Sequence, residues 1–529
     1  MNTPSTPTRR PRLSVAMIGR NEANVLAASI ESVRSIADEI VVLDTGSTDE
    51  TPELARRLGA AVITTSWKKD FSAARNQCLD FVYGDWVLWL DAGEQLEAAS
   101  AEQLRHFIDQ QSDAQRAYYL LVQVPPAVGG GSAEQVAQLR LMPNRPELRF
   151  TGRVRETLLP AIESAGIAVD VAPGRLLCHP RRNDPARKQA VARRNLELVA
   201  LEAKDAGGPL STRALLVCGE AHGDLSQRDE AEQAFRAAVG QAPHGSLEMR
   251  EAYYGLLSTL EDGSVPNKRR LAICLESLGV FPLDAQLLLA MGSYVQAENR
   301  SEMAARSFEA ALHHGQVDMQ TWHLVELAEM AANCLSVSLQ LQQREDQAVA
   351  VLEDALRRTP DSQRLLRRLV ELYAKRGEEE AALAAAGRLA VPAEHAAALF
   401  DAVRGAVKAA RQEWDAALHE LLGAYQRGCC DPLCLRPLAV TLLARHQFEP
   451  AAAVLAQWQQ REPGNPEVQA YLEAVNRRRQ EVGASADTPS SVSPGATEQR
   501  HLRLDPGVDG LPPAPVPIIS QFTSADVRQ

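Results

Sequence analysis

From Leu13 to about Glu94, short apolar runs alternate with segments whose apolar positions fall at helical spacing. Leu13–Ile18 has the length of a buried strand, and Ala27, Ile30, Val33, Ser35 and Ile36 follow roughly at helical spacing. Glu39–Leu43 reads as a second strand, closed by Asp44-Thr45-Gly46-Ser47. Thr51-Pro52 opens the next helix, with Thr51 as its N-cap and Pro52 at its first helical position. Ala60–Thr64 makes a third strand, Phe71–Phe81 a helix, and Trp86–Leu90 a fourth strand running into Asp91. This alternation predicts a mostly parallel, doubly wound α/β sheet, whose ligands bind outside the carboxyl ends of the strands. Asp44 and Asp91 each stand just past such an end. Tyr118–Val124 and Gln138–Met142 add strands on either side of Gly129-Gly130-Gly131, and Arg187–Lys204 is a closing helix.

Past residue 200 the texture becomes helical only. Ala348-x3-Leu352-x2-Ala355 is followed by Pro360, and Ala451-x3-Leu455-x2-Trp458 by Pro463. Ala382-x3-Ala386 and Ala417-x3-Leu421-x2-Ala424 lie between them, so the first alanines of these four recur at steps of 34, 35 and 34. Ala231-x3-Phe235-x2-Ala238 and Ala304-x3-Phe308-x2-Ala311 fit the same template, with irregular spacing between Ala231 and Ala348. Small residues at helix crossings with this period resemble tetratricopeptide repeats, which implies an all-α solenoid. A generic alanine-rich bundle is the plainer alternative. From about Gln480 the chain is rich in Ser, Pro, Ala and Gly without periodicity, the mark of disorder. Ile518-Ile519 is an apolar island there and a candidate docking motif. The expected organisation is a disordered tail over 1–12, an α/β domain over 13–204, helical repeats over 205–478 and a disordered tail over 479–529.

At 529 residues the chain is too long for one core. Its net charge of −12 and the absence of a basic stripe with interleaved aromatics argue against nucleic-acid binding. No apolar run approaches a membrane span, and Leu13–Ile18 is too short for a secretory segment, so the expected location is cytoplasmic. Eight scattered cysteines do not form a disulfide framework. Cys429, Cys430 and Cys434 cluster without a His or a second Cys pair at zinc spacing, and read as helix-packing residues.

Five blocks carry a resemblance. They are Arg20-Asn21-Glu22, the run Glu39 to Asp49 with Asp44-Thr45-Gly46-Ser47-Thr48, Trp67, the run Asp70 to Asn76 with Arg75, and Gly84-Asp85 through Asp91-Ala92-Gly93-Glu94. In this order and spacing the segment resembles the family 2 glycosyltransferases. More narrowly it is similar to the bacterial subgroup that includes peptide S-glycosyltransferases and lipopolysaccharide-core glucosyltransferases. The resemblance is strong over 13–94 and weaker to about 200, and it implies a GT-A-like nucleotide-sugar-binding fold.

By that resemblance Asp44 accepts the imide N–H of a uracil ring; the alternative is bracing the Gly46 turn. Asn21 and Glu22 line the nucleotide pocket or simply start a helix. Arg75 holds a diphosphate oxygen, its guanidinium being suited to bidentate contact, or pairs with Asp70. Asp91 stands where the family carries Asp-x-Asp and holds a divalent cation, Mn²⁺ or Mg²⁺. Here Gly93 replaces the second Asp, leaving Glu94 as the next carboxylate. Glu156, in Phe150-Thr-Gly-Arg-Val-Arg155-Glu156, falls where the family carries His-Glu and is the candidate general base. Its alternative is an ion pair with Arg153 or Arg155. His179 is a candidate third metal ligand or a structural histidine.

Two functions follow. One is an inverting glycosyltransferase that moves a sugar from a nucleotide-sugar donor, a UDP-sugar first, to a protein, peptide or glycan acceptor, with the repeats recruiting the acceptor or a partner protein. The other, suggested by Gly93 and Arg155, is a catalytically degenerate transferase fold acting as a scaffold.

Overall fold

The computed structural model describes residues 10–111, 115–126, 132–178, 184–261, 265–462 and 465–486. Gly129–Gly131, His179, Pro463, residues 1–9, the C-terminal tail from 487 and Ile518-Ile519 lie outside the described residues. Two compact units emerge. Of the described residues, one holds those to Leu287 together with Gln316–Glu326; the other holds Leu288–Gly315 and those from Leu327.

The first unit begins with β1 (Leu13–Gly19), α1 (Ala23–Val33), β2 (Glu39–Asp44), α2 (Thr51–Arg57), β3 (Ala61–Thr64), α3 (Phe71–Leu79) and β4 (Trp86–Trp89). It continues with β5 (Glu94–Leu96), α4 (Ala98–Gln110), β6 (Arg116–Val124), β7 (Glu134–Pro143), α5 (Leu159–Ser164), β8 (Ala168–Cys178) and α6 (Pro185–Ala206). The strand order is β3-β2-β1-β4-β7-β6-β8-β5. The β3-β2-β1-β4 half is parallel, as the alternation predicts. In the other half β7 is antiparallel to both β4 and β6, and β5 to β8, so the complete sheet is mixed.

Alternate residues of each strand enter different cores. Leu13, Val15, Met17, Val42 and Leu88 pack with Leu26 and Ile30 of α1 and Leu104 and Ile108 of α4. Ala16, Val41, Leu43, Val87 and Trp89 pack with Cys78 and Leu79 of α3 and Ile162 of α5. The period of two therefore buries both faces, which is why these strands read as unbroken apolar runs. Thr51 is not the N-cap expected of it. Glu50 is, without a side-chain bond, and the Thr51 hydroxyl instead bonds Asp49 and accepts the Glu22 amide.

The helices that follow are α7 (Thr212–Asp224), α8 (Arg228–Gln241), α9 (Leu247–Thr259), α10 (Asn267–Val280), α11 (Ala285–Ala297) and α12 (Ser301–His314). A two-residue strand, β9 (His323–Leu324), pairs with β7. Then come α13 (Leu327–Leu341), α14 (Glu345–Arg358), α15 (Gln363–Lys375), α16 (Glu379–Ala386), α17 (Ala393–Ala410), α18 (Trp414–Gln426), α19 (Pro432–Ala444), α20 (Phe448–Arg461) and α21 (Pro466–Ala486). The template residues lie on α8, α12, α14, α16, α18 and α20, and all are buried. Close crossing is visible at Phe235 of α8. A Cβ added to Gly255 of α9 would stand 2.3 Å from its ring, and one on Gly219 of α7 2.6 Å from it. The irregular stretch also has a cause. On α10 the template positions hold Arg270, Cys274 and Ser277, all buried, and Gln316–Glu326 interrupts the repeats before α13.

Candidate functional site

The parallel strands end in two groups of polar side chains. At the ends of β1 and β2, the Asp44 carboxylate accepts the Gly46 and Ser47 amides at 3.2–3.3 Å and the Ser47 hydroxyl. The Ser47 hydroxyl in turn accepts the Asn21 amide at 2.9 Å, and Asn21 Oδ1 accepts the Thr48 amide at 2.8 Å. Asn21 adopts a left-handed φ of 57°, a conformation that Asn tolerates better than most residues. Glu22 is nearly buried and pairs with Arg187 of α6 at 3.3 Å. Asn21 and Asp44 thus share one turn, and Asp44 braces it.

The second group stands past β4. Asp70 caps α3 by accepting the Ala73 amide, which leaves Arg75, one turn further, to other partners. The Arg75 guanidinium lies 4.4 Å from the centre of the Trp89 ring. Its Nη1 is 3.2 Å from Asp91 Oδ1, and its Nε donates to Glu156 Oε1. Arg140 of β7 donates to Asp91 Oδ2 at 3.0 Å and to Glu94 Oε1 at 2.8 Å. Glu94 Oε2 accepts the Asp91 amide at 3.0 Å, and Trp89 Nε1 donates to Asp91 Oδ1 at 3.0 Å. Four of the residues singled out from the sequence, Arg75, Asp91, Glu94 and Glu156, thus form one buried network. Burial pulls the Arg140 pKa down, but Asp91 and Glu94 outweigh it and hold the group above its ordinary value. Gly93 has a φ of 96°, which an aspartate adopts only with strain, so the backbone itself accounts for the glycine in place of the second Asp.

A cavity of about 210 Å³ opens on this network, lined among others by Arg75, Trp89, Asp91, Arg140 and Glu156. Glu156 Oε2 is buried and has no hydrogen-bond partner among the described residues. Arg155, with a strained φ of 53°, lines another wall of the same cavity. It reaches Glu251 of α9 at 2.9 Å and Glu220 of α7 at 3.5 Å. Burial pushes the Glu220 carboxyl up to about 8 despite Arg155. Arg140, Glu220 and Glu251 escape sequence reasoning. Only Arg140 left a signal, a lone charge inside the apolar run Gln138–Met142.

A divalent cation can be tested against this arrangement. The network holds three carboxylates, Asp91, Glu94 and Glu156, against the two guanidinium groups of Arg75 and Arg140. A diphosphate arriving alone would deepen the negative excess; one arriving with a divalent cation would offset it. Asp91 lines the cavity and fits the role of ligand. Glu94, fully buried, braces Asp91 from behind. Among the described residues no group of three His, Cys, Asp or Glu side chains is arranged for a metal, so phosphate oxygens would supply further ligands.

The first unit is thus an α/β domain with polar groups gathered at the ends of its parallel strands. Residues 14–119 match the family model described as Glycosyl transferase family 2, so the chain carries such a domain near its N-terminus, followed by a long run of helices. A TPR repeat-containing protein of Synechococcus elongatus is 41% identical over 139 residues, 26% of this chain and 33% of that one. An uncharacterized glycosyltransferase of Rickettsia prowazekii is 35% identical over 115 residues, 21% of this chain and 37% of that one. The chain thus spans about a third of the length of these curated relatives. Among solved structures, glucosyl-3-phosphoglycerate synthase from Mycobacterium tuberculosis is 19% identical, covering 38% of this chain and 82% of that one, with a TM-score of 0.27. Among the described residues no helix is long and apolar enough to cross a membrane.

Proposed function

We propose that the chain is an inverting glycosyltransferase that uses a nucleotide-sugar, a UDP-sugar first, and that Glu156 is its general base. One observation carries this reading. Glu156 presents a buried, unpartnered Oε2 in a cavity shared with Asp91, while Arg75 holds its other oxygen in place. The acceptor's hydroxyl or thiol gives its proton to Glu156 Oε2 as its heteroatom attacks the anomeric carbon. The bond from that carbon to the diphosphate oxygen breaks on the opposite face, and the nucleoside diphosphate leaves with the electron pair. Arg75 and Arg140 keep Asp91 and Glu156 in fixed positions through the step. Asn21, Glu22 and Asp44 belong to the nucleotide end, where the Asp44 carboxylate retains lone pairs for a base N–H. A divalent cation held by Asp91 would supply Lewis-acid neutralisation of the leaving diphosphate.

Calorimetric titration of the full chain with UDP-sugars, with and without Mn²⁺, tests the donor site. Saturable binding should require both the metal and Asp91, and be lost in Asp91→Ala. Glu156→Gln should bind donor as the wild type does, with sugar transfer or donor hydrolysis lowered by roughly 10²–10⁴. Absence of binding to any UDP-, GDP- or dTDP-sugar would overturn the reading and favour the scaffold.

A further inference from the structure

The cavity beside Glu156 has a second wall, and the first repeat helices build it. Arg213 and Leu216 of α7 line it, as do Leu247, Glu248 and Glu251 at the start of α9. These helices belong to the same compact unit as the sheet. Two guanidinium groups on this side keep N–H donors without an acceptor among the described residues. Arg155 has a side chain only 9% exposed, and its Nη1 is buried without a hydrogen bond. Arg213 is half-buried and makes no hydrogen bond or ion pair among the described residues.

A buried donor left unsatisfied costs about 1–3 kcal/mol, so Arg155 Nη1 points to an acceptor atom that belongs in this cavity, and the uncommitted Arg213 guanidinium lines the same wall. The carboxylates that act on these two guanidinium groups are Glu220, Glu248, Glu251 and, at Arg213, Glu202, and burial raises Glu220 to about 8. Arg213 is held below its ordinary value by burial and by Arg155, an effect that an anion placed near both would relieve. Planar guanidinium forks suit phosphoryl and carboxylate oxygens. None of Asn21, Glu22 and Asp44 lines this cavity, so the nucleotide end of the donor lies elsewhere.

We propose that Arg155 and Arg213 form an oxyanion subsite for a phosphoryl or carboxylate group carried by the acceptor, so that helices α7 and α9 help to select what Glu156 deprotonates. Arg155 and Glu156 are consecutive, which ties recognition of the acceptor's anion to the base that takes its proton. The subsite rests on the transferase reading for its role and on Arg155 and Arg213 for its existence.

Inorganic phosphate is the probe, titrated into the full chain alone and with UDP and Mg²⁺ at saturation. Tryptophan fluorescence reads it, since Trp89 and Trp322 line the cavity. Phosphate should bind saturably, with affinity unchanged by UDP. Arg213→Gln should weaken it about tenfold and Arg213→Lys by no more than about threefold, the difference expected for one charge-assisted contact. Unchanged affinity in Arg213→Gln would overturn the subsite, and displacement of phosphate by UDP would reassign it to the donor's diphosphate. Binding of UDP is measured separately. A chain that binds phosphate through Arg213 but binds no UDP would overturn the acceptor role by removing the transferase reading beneath it.

Discussion

Arg75, Asp91, Glu94, Arg140 and Glu156 lie where the parallel strands end, and none of their side chains is more than 6% exposed. Ala231, Phe235 and Ala238 lie where α8 crosses its neighbours, and they are as deeply buried. The materials are opposite. The strand-end network holds five ionised groups that lose water on folding and recover it only by pairing with one another. The helical seam holds apolar volume and owes its stability to fit. Replacing buried charge pairs by apolar side chains is often neutral or stabilising, so on the proposed transferase reading chemistry at the strand ends accounts for keeping them. At the seam, alanines and glycines answer to helix spacing.

The largest effects should come from breaking each region once. Arg140→Ala leaves Asp91 and Glu94 short of a buried partner and should cost about 3–5 kcal/mol, read as a lower urea midpoint. Phe235→Ala opens a cavity between Gly219 and Gly255 and should cost a similar amount, about 3–5 kcal/mol. The regions should part company at the second substitution. Arg140→Met combined with Glu94→Leu removes a charge of each sign and should recover most of the loss. No polar or charged residue placed at Phe235 should do so. A double variant as unstable as Arg140→Ala would mean that the network is held by geometry rather than by charge balance.

A smaller effect sharpens the contrast within the helices. Glu220 of α7 is buried and faces Arg155, Glu251 and Asp224. In the folded chain its carboxyl keeps its proton up to about pH 8, whereas in the unfolded chain it ionises near its ordinary 4.5. The folded state binds more protons, so the stability linked to this group is complete below about pH 4.5, falls as pH rises and is lost by about pH 8. Thermal melts of wild type and Glu220→Gln across that window should diverge by on the order of 2 kcal/mol, the variant gaining on the wild type toward alkaline pH. Parallel curves would place Glu220 among ordinary paired carboxylates.

What could be read beforehand divides along the same line. Strands buried on both faces announce themselves as apolar runs, and β1, β2, β3 and β4 lie where those runs fall. Seams built on small residues repeat, so six of the crossing helices showed in the spacing of alanines. The seventh, α10, was hidden because Arg270, Cys274 and Ser277 fill the template with unexpected side chains. Pairing direction in the second half of the sheet was hidden too, since β6 and β7 have the pattern of any strand and only the return of the chain decides it. Motif blocks pointed to Arg75, Asp91 and Glu156 one at a time. Nothing in local pattern could reveal that Arg155 would find Glu251, 96 residues away. A buried ion pair is a property of the assembled fold, and its two halves look like surface charges when read apart.

The smallest expected effect concerns the residue that most weakened the resemblance. Gly93 stands where the family carries an aspartate, and its absence could mean a degenerate site or a backbone that needs glycine. A φ of 96° favours the second account, because an L residue there meets the strain of the left-handed region. Gly93→Asp should therefore lower stability by about 1–2 kcal/mol, through its backbone rather than through repulsion with Asp91 and Glu94. Gly93→Asn, with the same shape and no charge, separates the two causes, since it should lower the urea midpoint nearly as far. Neither variant should tighten Mn²⁺ binding measured by calorimetry. Tighter binding in Gly93→Asp would show that the turn can accept the family's aspartate without penalty and that this chain had lost a ligand. A loss of stability shared with Gly93→Asn would show instead that the strand-end network, with Arg140 drawing Asp91 and Glu94 together, is built around the turn that glycine permits.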